Sequence, residues 1–289
     1  MNTEKEPLTY IILVNYNGFD DTVECVKSIK ESTYHNYQIV IVDNHSNDSE
    51  RLHNDIYLNS VAKIIYASQN GGFSYGNNLG IEVAINNNAD YIFLLNNDTV
   101  IENNTIELLV AKGEHEDCTG IITGMVHYFD NTFAVNYFHG TYDRNVGKIS
   151  MVGGLDTRVT FVCGCMMMLK TSMIKQIGKL DESFFMYSED LEYSCRAQRY
   201  GWKLVSEDDA VIYHKISSTV KQDSDFQRYY IMRNDLKVIQ LYSRKKWLGY
   251  IYKILSKFKW SIRNKQSLKP IIDGIVDFCC NVNGRSLKY

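Results

Sequence analysis

The stretch Tyr91-Ile92-Phe93-Leu94-Leu95-Asn96-Asn97-Asp98-Thr99 constrains this chain more than any other. Its five apolar residues in succession, aromatic and branched, are too few for a helix and predict a strand buried on both faces. The polar cluster begins where that strand ends. In an open α/β sheet the carboxyl ends of the strands form the ligand crevice, so a rigid element delivers Asp98 to it. One carboxylate beside two amides suits a hard divalent cation that keeps several waters and shares its shell with phosphate oxygens, which points to a metal–diphosphate site. A plain strand-to-turn junction accounts for the same residues, because Asn and Asp are common turn formers.

The preceding residues repeat the pattern. Residues 10–15 predict a first buried strand followed by the turn-prone Asn17-Gly18, with Asp20 or Asp21 available to cap a helix whose face carries Val23, Cys25, Val26 and Ile29. Residues 38–43 predict a second strand that runs into Asp43, Asn44, His45, Ser46, Asn47 and Asp48, so two strands point acids at one edge. A third strand is predicted over 61–66, a turn at Asn70-Gly71-Gly72-Phe73, and a helix over 74–87 with Leu79, Ile81, Val83 and Ala84 on its buried side. Strand and helix in alternation argue for a parallel, doubly wound nucleotide-binding half.

Beyond Asp98 the pattern changes. A helix is predicted over 101–112, strands over 120–129 and 132–138, and a mobile loop over the crevice at 140–156. Residues 160–169 read as a long strand whose internal Gly164 marks a bulge or a close backbone approach, and whose methionines read as adaptable core. Thr171 or Ser172 starts a short helix ending at Gly178. Ser188 is placed to cap a helix reaching about Tyr200, with Glu189 and Asp190 in its first turn. Complementation of the helix dipole would by itself explain that acidic pair. Two short strands, 203–206 and 210–214, flank an acidic turn, and His214 closes the second near the expected crevice. A histidine there also serves as an ordinary hydrogen-bonded structural residue.

The 289 residues suffice for one large domain, alone or with an appendage, and 45% hydrophobic with 22% charged content is that of a soluble globular protein. The polar, acidic start is unlike a secretory signal, and the longest obvious apolar run, the nine residues 161–169, is too short to span a bilayer. Seven cysteines without Cys-x-x-Cys spacing read as reduced thiols, so the expectation is a cytoplasmic protein. Charge is unevenly divided. Residues 226–289 hold 14 Lys and Arg against three Asp, or +11, which leaves 17 against 31, or −14, for residues 1–225. Within the basic part, residues 245–263 predict an amphipathic helix with Trp247, Ile251, Ile254, Leu255, Phe258 and Ile262 on one arc, flanked by Lys246, Lys253, Lys257 and Lys259. Such a helix suits an anionic bilayer surface; packing on the rest of the chain or on a second subunit, as in a homodimer, is the alternative. No nucleic-acid recognition motif accompanies the charge.

Taken in order, the motifs Val14-Asn15-Tyr16-Asn17, Val42-Asp43-Asn44-His45-Ser46-Asn47-Asp48, Asn70-Gly71-Gly72-Phe73 with Asn77-Asn78, Leu95-Asn96-Asn97-Asp98, Gly178-Lys179-Leu180-Asp181-Glu182-Ser183-Phe184-Phe185, Glu189-Asp190 and His214 resemble the family 2 inverting glycosyltransferases, especially their rhamnosyltransferase-like branch. The resemblance runs over residues 10–234. It implies an α/β GT-A fold, a mostly parallel central sheet with flanking helices, with residues 1–222 as catalytic domain (1–100 nucleotide-binding, 101–222 acceptor-binding) and 223–289 as a basic helical region. It implies that Asp43 bonds the base, that Val14, Asn15 and Tyr16 lie beside base and ribose, and that Asn70, Gly72, Asn77 and Asn97 shape the donor site. Asp98 matches the last acid of an Asp-x-Asp motif, and His214 a histidine completing the shell of Mn²⁺ or Mg²⁺. Asp190 matches the base that activates the acceptor, Glu189 its companion, and Cys163 and Gly164 lie on the strand lining the sugar pocket.

Two departures qualify this pattern. Asn96 stands where Asp-x-Asp has its first acid, which shifts metal binding onto Asp98, His214 and the diphosphate. The Gln-x-x-Arg-Trp motif of processive synthases is missing, which favours transfer of a single sugar. The implied activity moves a rhamnose-like or other hexose from a dTDP- or UDP-linked donor to a hydroxyl of a glycan or lipid-linked acceptor in bacterial surface polysaccharide synthesis, in the cytoplasm or at the inner face of the membrane. A sugar nucleotidyltransferase is disfavoured, because no Gly-rich triphosphate loop with a basic residue follows the first strand. A non-catalytic scaffold of a polysaccharide assembly complex finds support only in Asn96.

Overall fold

Four parallel strands form the first half of the sheet: β1 (Thr9–Asn15), β2 (Tyr37–Asp43), β3 (Ala62–Tyr66) and β4 (Tyr91–Asn96), in the order β3-β2-β1-β4. The computed structural model from which they are drawn describes residues 6–132, 134–137, 139–152, 159–215 and 223–289. The apolar runs of β1 and β4 are continuous because both faces are covered. Ile11, Leu13, Phe93 and Leu95 pack on one side with Cys25, Val26 and Ile29 of α1 (Phe19–Lys30). Tyr10, Ile12, Ile92 and Leu94 pack on the other with Ile81 and Ala84 of α4 (Gly72–Asn86). Alternate residues of a strand point to opposite faces, so each strand feeds both cores, at about 1.5–3 kcal/mol per large apolar side chain buried. Two short helices, α2 (Ser49–Asn54) and α3 (Ile56–Val61), join β2 to β3.

The second half continues the same sheet as β4-β10-β6-β11-β5, with β7 (Val135–Tyr137) on β6 (Thr119–Tyr128). Here β10 (Met166–Lys170) is antiparallel to β4 and β6, β11 (Lys203–His214) is parallel to β6, and β5 (Thr99–Ile101) is antiparallel to β11. Among the described residues, β1 to β4, β6 and β11 thus run one way and β5, β7 and β10 the other, which is the mostly parallel sheet expected. Around it lie α5 (Thr105–Glu114), α6 (Thr171–Ile177) and α7 (Glu189–Arg199). The basic region forms α8 (Asp225–Tyr242), α9 (Lys246–Arg263) and α10 (Lys269–Cys279), with Met232, Leu236 and Ile271 in a shared core.

Several local expectations need correction. Residues 99–101 are a strand, so the helix expected from 101 starts at Thr105. The loop expected at 140–156 is, as far as it is described, a hairpin of β8 (His139–Asp143) and β9 (Lys148–Val152), turning at Gly147 with φ +67°; residues 153–156 lie outside the described residues. Only 135–137 of the strand expected over 132–138 is formed, and 133 and 138 are likewise outside. The long strand at 160–169 is formed only from Met166, because the Gly164 N–H donates to Asp190 instead of to a ladder partner. The methionines are core, Met166 and Met168 on one face of the sheet and Met167 on the other. The two strands around the acidic turn are one strand with a register shift between Glu207 and Val211. Neither Asp20 nor Asp21 caps α1, since Gly18 holds the N-cap position. The expected division at 222 and 223 falls at the edge of residues 216–222, which are not described.

Candidate active site

The crevice opens where β1, β2 and β4 end. Parallel register places Asn15 beside Asp43 and Val14 beside Asn96, so the polar residues that follow each strand collect at one edge. Behind the crevice lies a hydrogen-bonded frame. Asn15 Nδ2 donates to Asp43 Oδ1 at 2.9 Å and to Ser46 Oγ at 3.1 Å, while its Oδ1 accepts from the Gly18 N–H and the Thr22 hydroxyl. The Ser46 N–H reaches Asp43 Oδ2 at 3.3 Å. Asn44 Nδ2 donates to Asn70 Oδ1 and to the Gly72 carbonyl, and Asn97 Nδ2 to the Thr22 hydroxyl at 2.9 Å.

In front of this frame a cavity of about 330 Å³ is lined by Val14, Tyr16, Asn70, Asn77, Asn97, Asp98 and His214, with Asn44, Asn96 and Phe73 among the others. Seven of the residues expected from the sequence therefore meet at one cavity. Asn15, Asp43 and Gly72 do not line it; they stand behind, holding its wall. Asn44, not singled out from the sequence, faces the cavity where Asp43 was expected. Gly72 is required for the backbone: its φ is +84°, and a Cβ there would lie 1.9 Å from the Phe185 carbonyl oxygen. The Phe73 N–H donates to that same oxygen at 2.9 Å, which ties the start of α4 to the segment before α7.

The pairing of β5 with β11 sets His214 opposite Thr99 and so beside Asp98, with His214 Nε2 3.2 Å from Asp98 Oδ1. Both side chains are buried or nearly so. Burial lowers the histidine's proton affinity, but the hydrogen bond and charge of Asp98, aided by Cys163, outweigh it and raise the pKa overall. His214 Nδ1 is buried without a hydrogen-bond partner.

A second cavity, of about 540 Å³, shares Phe73, Asn96, Met186, Tyr187 and His214 with the first and adds Cys163, Gly164, Glu189 and Asp190. Asp190 is fixed by two backbone N–H donors, Gly164 to Oδ2 at 2.9 Å and Leu191 to Oδ1 at 2.8 Å. Gly164 also makes room for the Phe73 ring, from which a Cβ on it would lie 2.9 Å. Desolvation, followed by the neighbouring Cys163, raises the pKa of Asp190. Desolvation, then the charge of Asp190, raises that of Glu189, whose Oε2 is buried with no hydrogen-bond partner. A carboxyl held this way is a better proton acceptor than an ordinary aspartate.

Ser188 does not cap α7 with its side chain. Tyr187 and Ser188 both adopt left-handed backbone, φ 68° and 69°, and the Ser188 hydroxyl donates to Asp235 at 2.7 Å instead. Left-handed non-glycine residues cost of order 1–3 kcal/mol each and persist only where the surroundings hold them. Here α8 holds them, for Asn234 Nδ2 donates to the carbonyls of both Met186 and Tyr187, at 2.9 and 2.8 Å. Nothing local in the sequence at 187–188 signals this strain.

The model of the family described as glycosyl transferase family 2 matches residues 10–178. A low-salt glycan biosynthesis hexosyltransferase, Agl10 of Haloferax volcanii, is 30% identical over 199 residues, covering 65% of this chain and 61% of that protein, so the chain spans about three fifths of that relative's length. Among solved structures, GalNAc-T7 with UDP, GalNAc and Mn²⁺ superposes with a TM-score of 0.70 at 17% identity, over 84% of this chain and 49% of that one. The mannosyltransferase PcManGT from Pyrobaculum calidifontis, in complex with GDP-Man and Mn²⁺, superposes with a TM-score of 0.63 at 12% identity, over 98% and 77%. At such identities the likeness establishes the fold, and it is the GT-A fold expected from the sequence.

Proposed function

The chain belongs to glycosyl transferase family 2, and from that membership we propose that it is an inverting, rhamnosyltransferase-like enzyme moving one sugar from a dTDP- or UDP-linked donor to a hydroxyl of a glycan or lipid-linked acceptor in surface polysaccharide synthesis. The observation that carries this reading is the pair of adjoining cavities with Asn96 and His214 in their common wall. The smaller takes the nucleoside diphosphate, with Val14 and Tyr16 beside base and ribose, Asn70, Asn77 and Asn97 shaping its pocket, and Asn15, Asp43 and Gly72 holding these in place. The larger takes the acceptor. Asp190 removes the proton from the acceptor hydroxyl as its oxygen bonds to the anomeric carbon from the face opposite the diphosphate; the bond from that carbon to the diphosphate oxygen breaks, and the nucleoside diphosphate departs. Glu189 is the companion of Asp190, a carboxyl whose own proton affinity is raised by burial and then by its neighbour's charge.

A divalent cation fits beside Asp98 and His214. Among the described residues no third His, Cys, Asp or Glu joins them in a group that could hold an ion alone. One carboxylate and one imidazole nitrogen are nevertheless suitable donors for Mn²⁺, and such ions commonly complete their shell with substrate phosphate and water. When bound, the ion would neutralise charge on the departing diphosphate. Two of the solved relatives hold Mn²⁺ with a nucleotide or nucleotide sugar. The test is calorimetry with UDP or dTDP, with and without Mn²⁺. Binding should tighten with the ion, and Asp98→Asn should remove about tenfold or more of that gain; equal binding under all four conditions would contradict the site.

The basic region completes the enzyme in this proposal. Residues 1–222 carry the chemistry, and 223–289 buttress it through Asn234 and present α9 to the inner face of the cell membrane. Among the described residues no helix is long and apolar enough to cross a membrane. On α9, Ile254 and Phe258 pack inward against the α8–α10 core, whereas Trp247, Leu248, Ile251, Leu255 and Ile262 are exposed. That stripe, bordered by Lys245, Lys246, Lys259 and Arg263, suits an anionic lipid surface.

A further inference from the structure

Two of the lysines that the sequence sets beside the apolar arc do not flank it in solvent. Lys253 and Lys257 turn to the inward side of α9 and, with Ile231 and Asp235 of α8, line the cavity that holds Glu189 and Asp190. We propose that Lys253 and Lys257 form a subsite for a phosphate group on the acceptor, which brings the acceptor hydroxyl to Asp190; the inference rests on the transferase reading above and names its substrate class.

One of the two cations is left without an ion pair among the described residues. Lys253 forms an ion pair with Asp235, whose other oxygen accepts the Ser188 hydroxyl. Lys257 makes no ion pair or hydrogen bond among the described residues, though it is half-buried, and burial followed by the charge of Lys253 weakens its hold on its proton. A lysine kept partly out of water beside a second lysine is unfavourable unless something anionic joins them. Of the acids that share the cavity, Asp235 pairs with Lys253, whereas Glu189 Oε2 has no partner and the oxygens of Asp190 accept backbone N–H groups, so none forms an ion pair with Lys257. The donor diphosphate would meet its counter-charge in the divalent cation that fits beside Asp98 and His214 in the adjoining cavity. A phosphate on the acceptor gives Lys257 the anion it lacks and shares Lys253 with Asp235, and two ammonium groups around one phosphate are a usual pairing. The phosphate could belong to a lipid, whose chain would leave toward the exposed stripe of α9, or to a soluble phosphate ester; the chemistry of the subsite is the same.

The test uses the full chain with UDP and Mn²⁺ bound first, so that the donor cavity is filled. It is then titrated with octyl phosphate, glycerol phosphate, octanol and glycerol. Both phosphates should bind and neither alcohol should. Lys257→Gln should weaken phosphate binding about tenfold or more, and Lys257→Arg should restore most of it. Octyl phosphate binding much more tightly than glycerol phosphate assigns a lipid acceptor, and equal binding a soluble one; either agrees with the subsite. Phosphate binding that is unchanged in Lys257→Gln, or missing from a wild type that binds UDP, overturns the inference. Weakened UDP binding in Lys257→Gln would also overturn it, by placing the lysine at the donor. Failure of the wild type to bind UDP or dTDP at all would instead defeat the transferase reading on which the inference stands.

Discussion

At the scale of single residues, the unusual group is Glu189. It is 6% exposed, its Oε2 has no hydrogen-bond partner, and it sits next to another carboxyl. A stability element would not be built this way, because an unsatisfied buried polar group costs about 1–3 kcal/mol. The raised pKa gives the cost a pH signature. Between the ordinary carboxylate pKa and the raised one, the native state binds more protons than the unfolded chain, so stability is fully present below the lower value and falls as pH rises through the higher. Glu189→Gln should therefore raise the melting temperature at pH 7, by about 2–4 °C for each kcal/mol recovered, and change it little near pH 4. Thermal melts at the two pH values check this; a variant less stable at pH 7 would show that the charge supports the fold.

At the scale of elements, α9 has two faces with different tasks. The inward face supplies Ile254 and Phe258 to the helical core and two lysines to the cavity, while the outward face exposes Trp247 at 79% and Leu255 at 64%. Single exposed apolar residues need no explanation, but a stripe along one helix does. If it rests on a bilayer, the protein should float with vesicles containing anionic lipid, less with neutral vesicles, and Trp247→Glu with Leu255→Glu should leave it in the soluble fraction. Equal flotation of that double variant, or none by the wild type, would remove the membrane role. The sequence could show that α9 is amphipathic, yet not that its lysines divide between cavity and solvent, because period alone does not say which neighbour covers which arc. The same limit hid β5. Three residues between a polar turn and a helix carry too little pattern, and their strand character comes from pairing with β11.

At the scale of the whole molecule, the legible part of the site was the part written as strand ends. An apolar run stopped by polar residues marks the edge of a parallel sheet, which is why Asp98 with its two amides and the acids that follow β2 could be placed at one edge before any coordinates, while Tyr16 and Asn70 were placed there by the family resemblance. Asp190 was legible only through the order of motifs, and His214 through that order and its place at the end of a strand. What joins them to Asp98 is tertiary: the β5–β11 pairing, the Gly164 N–H on Asp190, and the α8 residues that hold Tyr187 and Ser188 in left-handed backbone. Asp43, whose motif implied contact with the base, stands behind the cavity wall with one oxygen accepting from Asn15 and the other from the Ser46 N–H. The hairpin at 139–152 was missed because its Gly and Asp content resembles a loop, while its ladder runs to register from His139↔Val152 to Asp143↔Lys148.

The central claim is that Asp190 acts as the base on an acceptor held next to the donor site, and the most direct measurement compares donor-sugar turnover and nucleotide binding in the wild type and in Asp190→Asn. A panel of dTDP- and UDP-sugars supplies the substrate, with acceptor or with water. The account predicts that the variant binds UDP or dTDP with Mn²⁺ as the wild type does and turns over about 10² to 10⁴ times more slowly, the usual loss when a general base is removed. Turnover unchanged in Asp190→Asn would contradict it, as would a wild type that binds nucleotide yet turns over no donor in the panel.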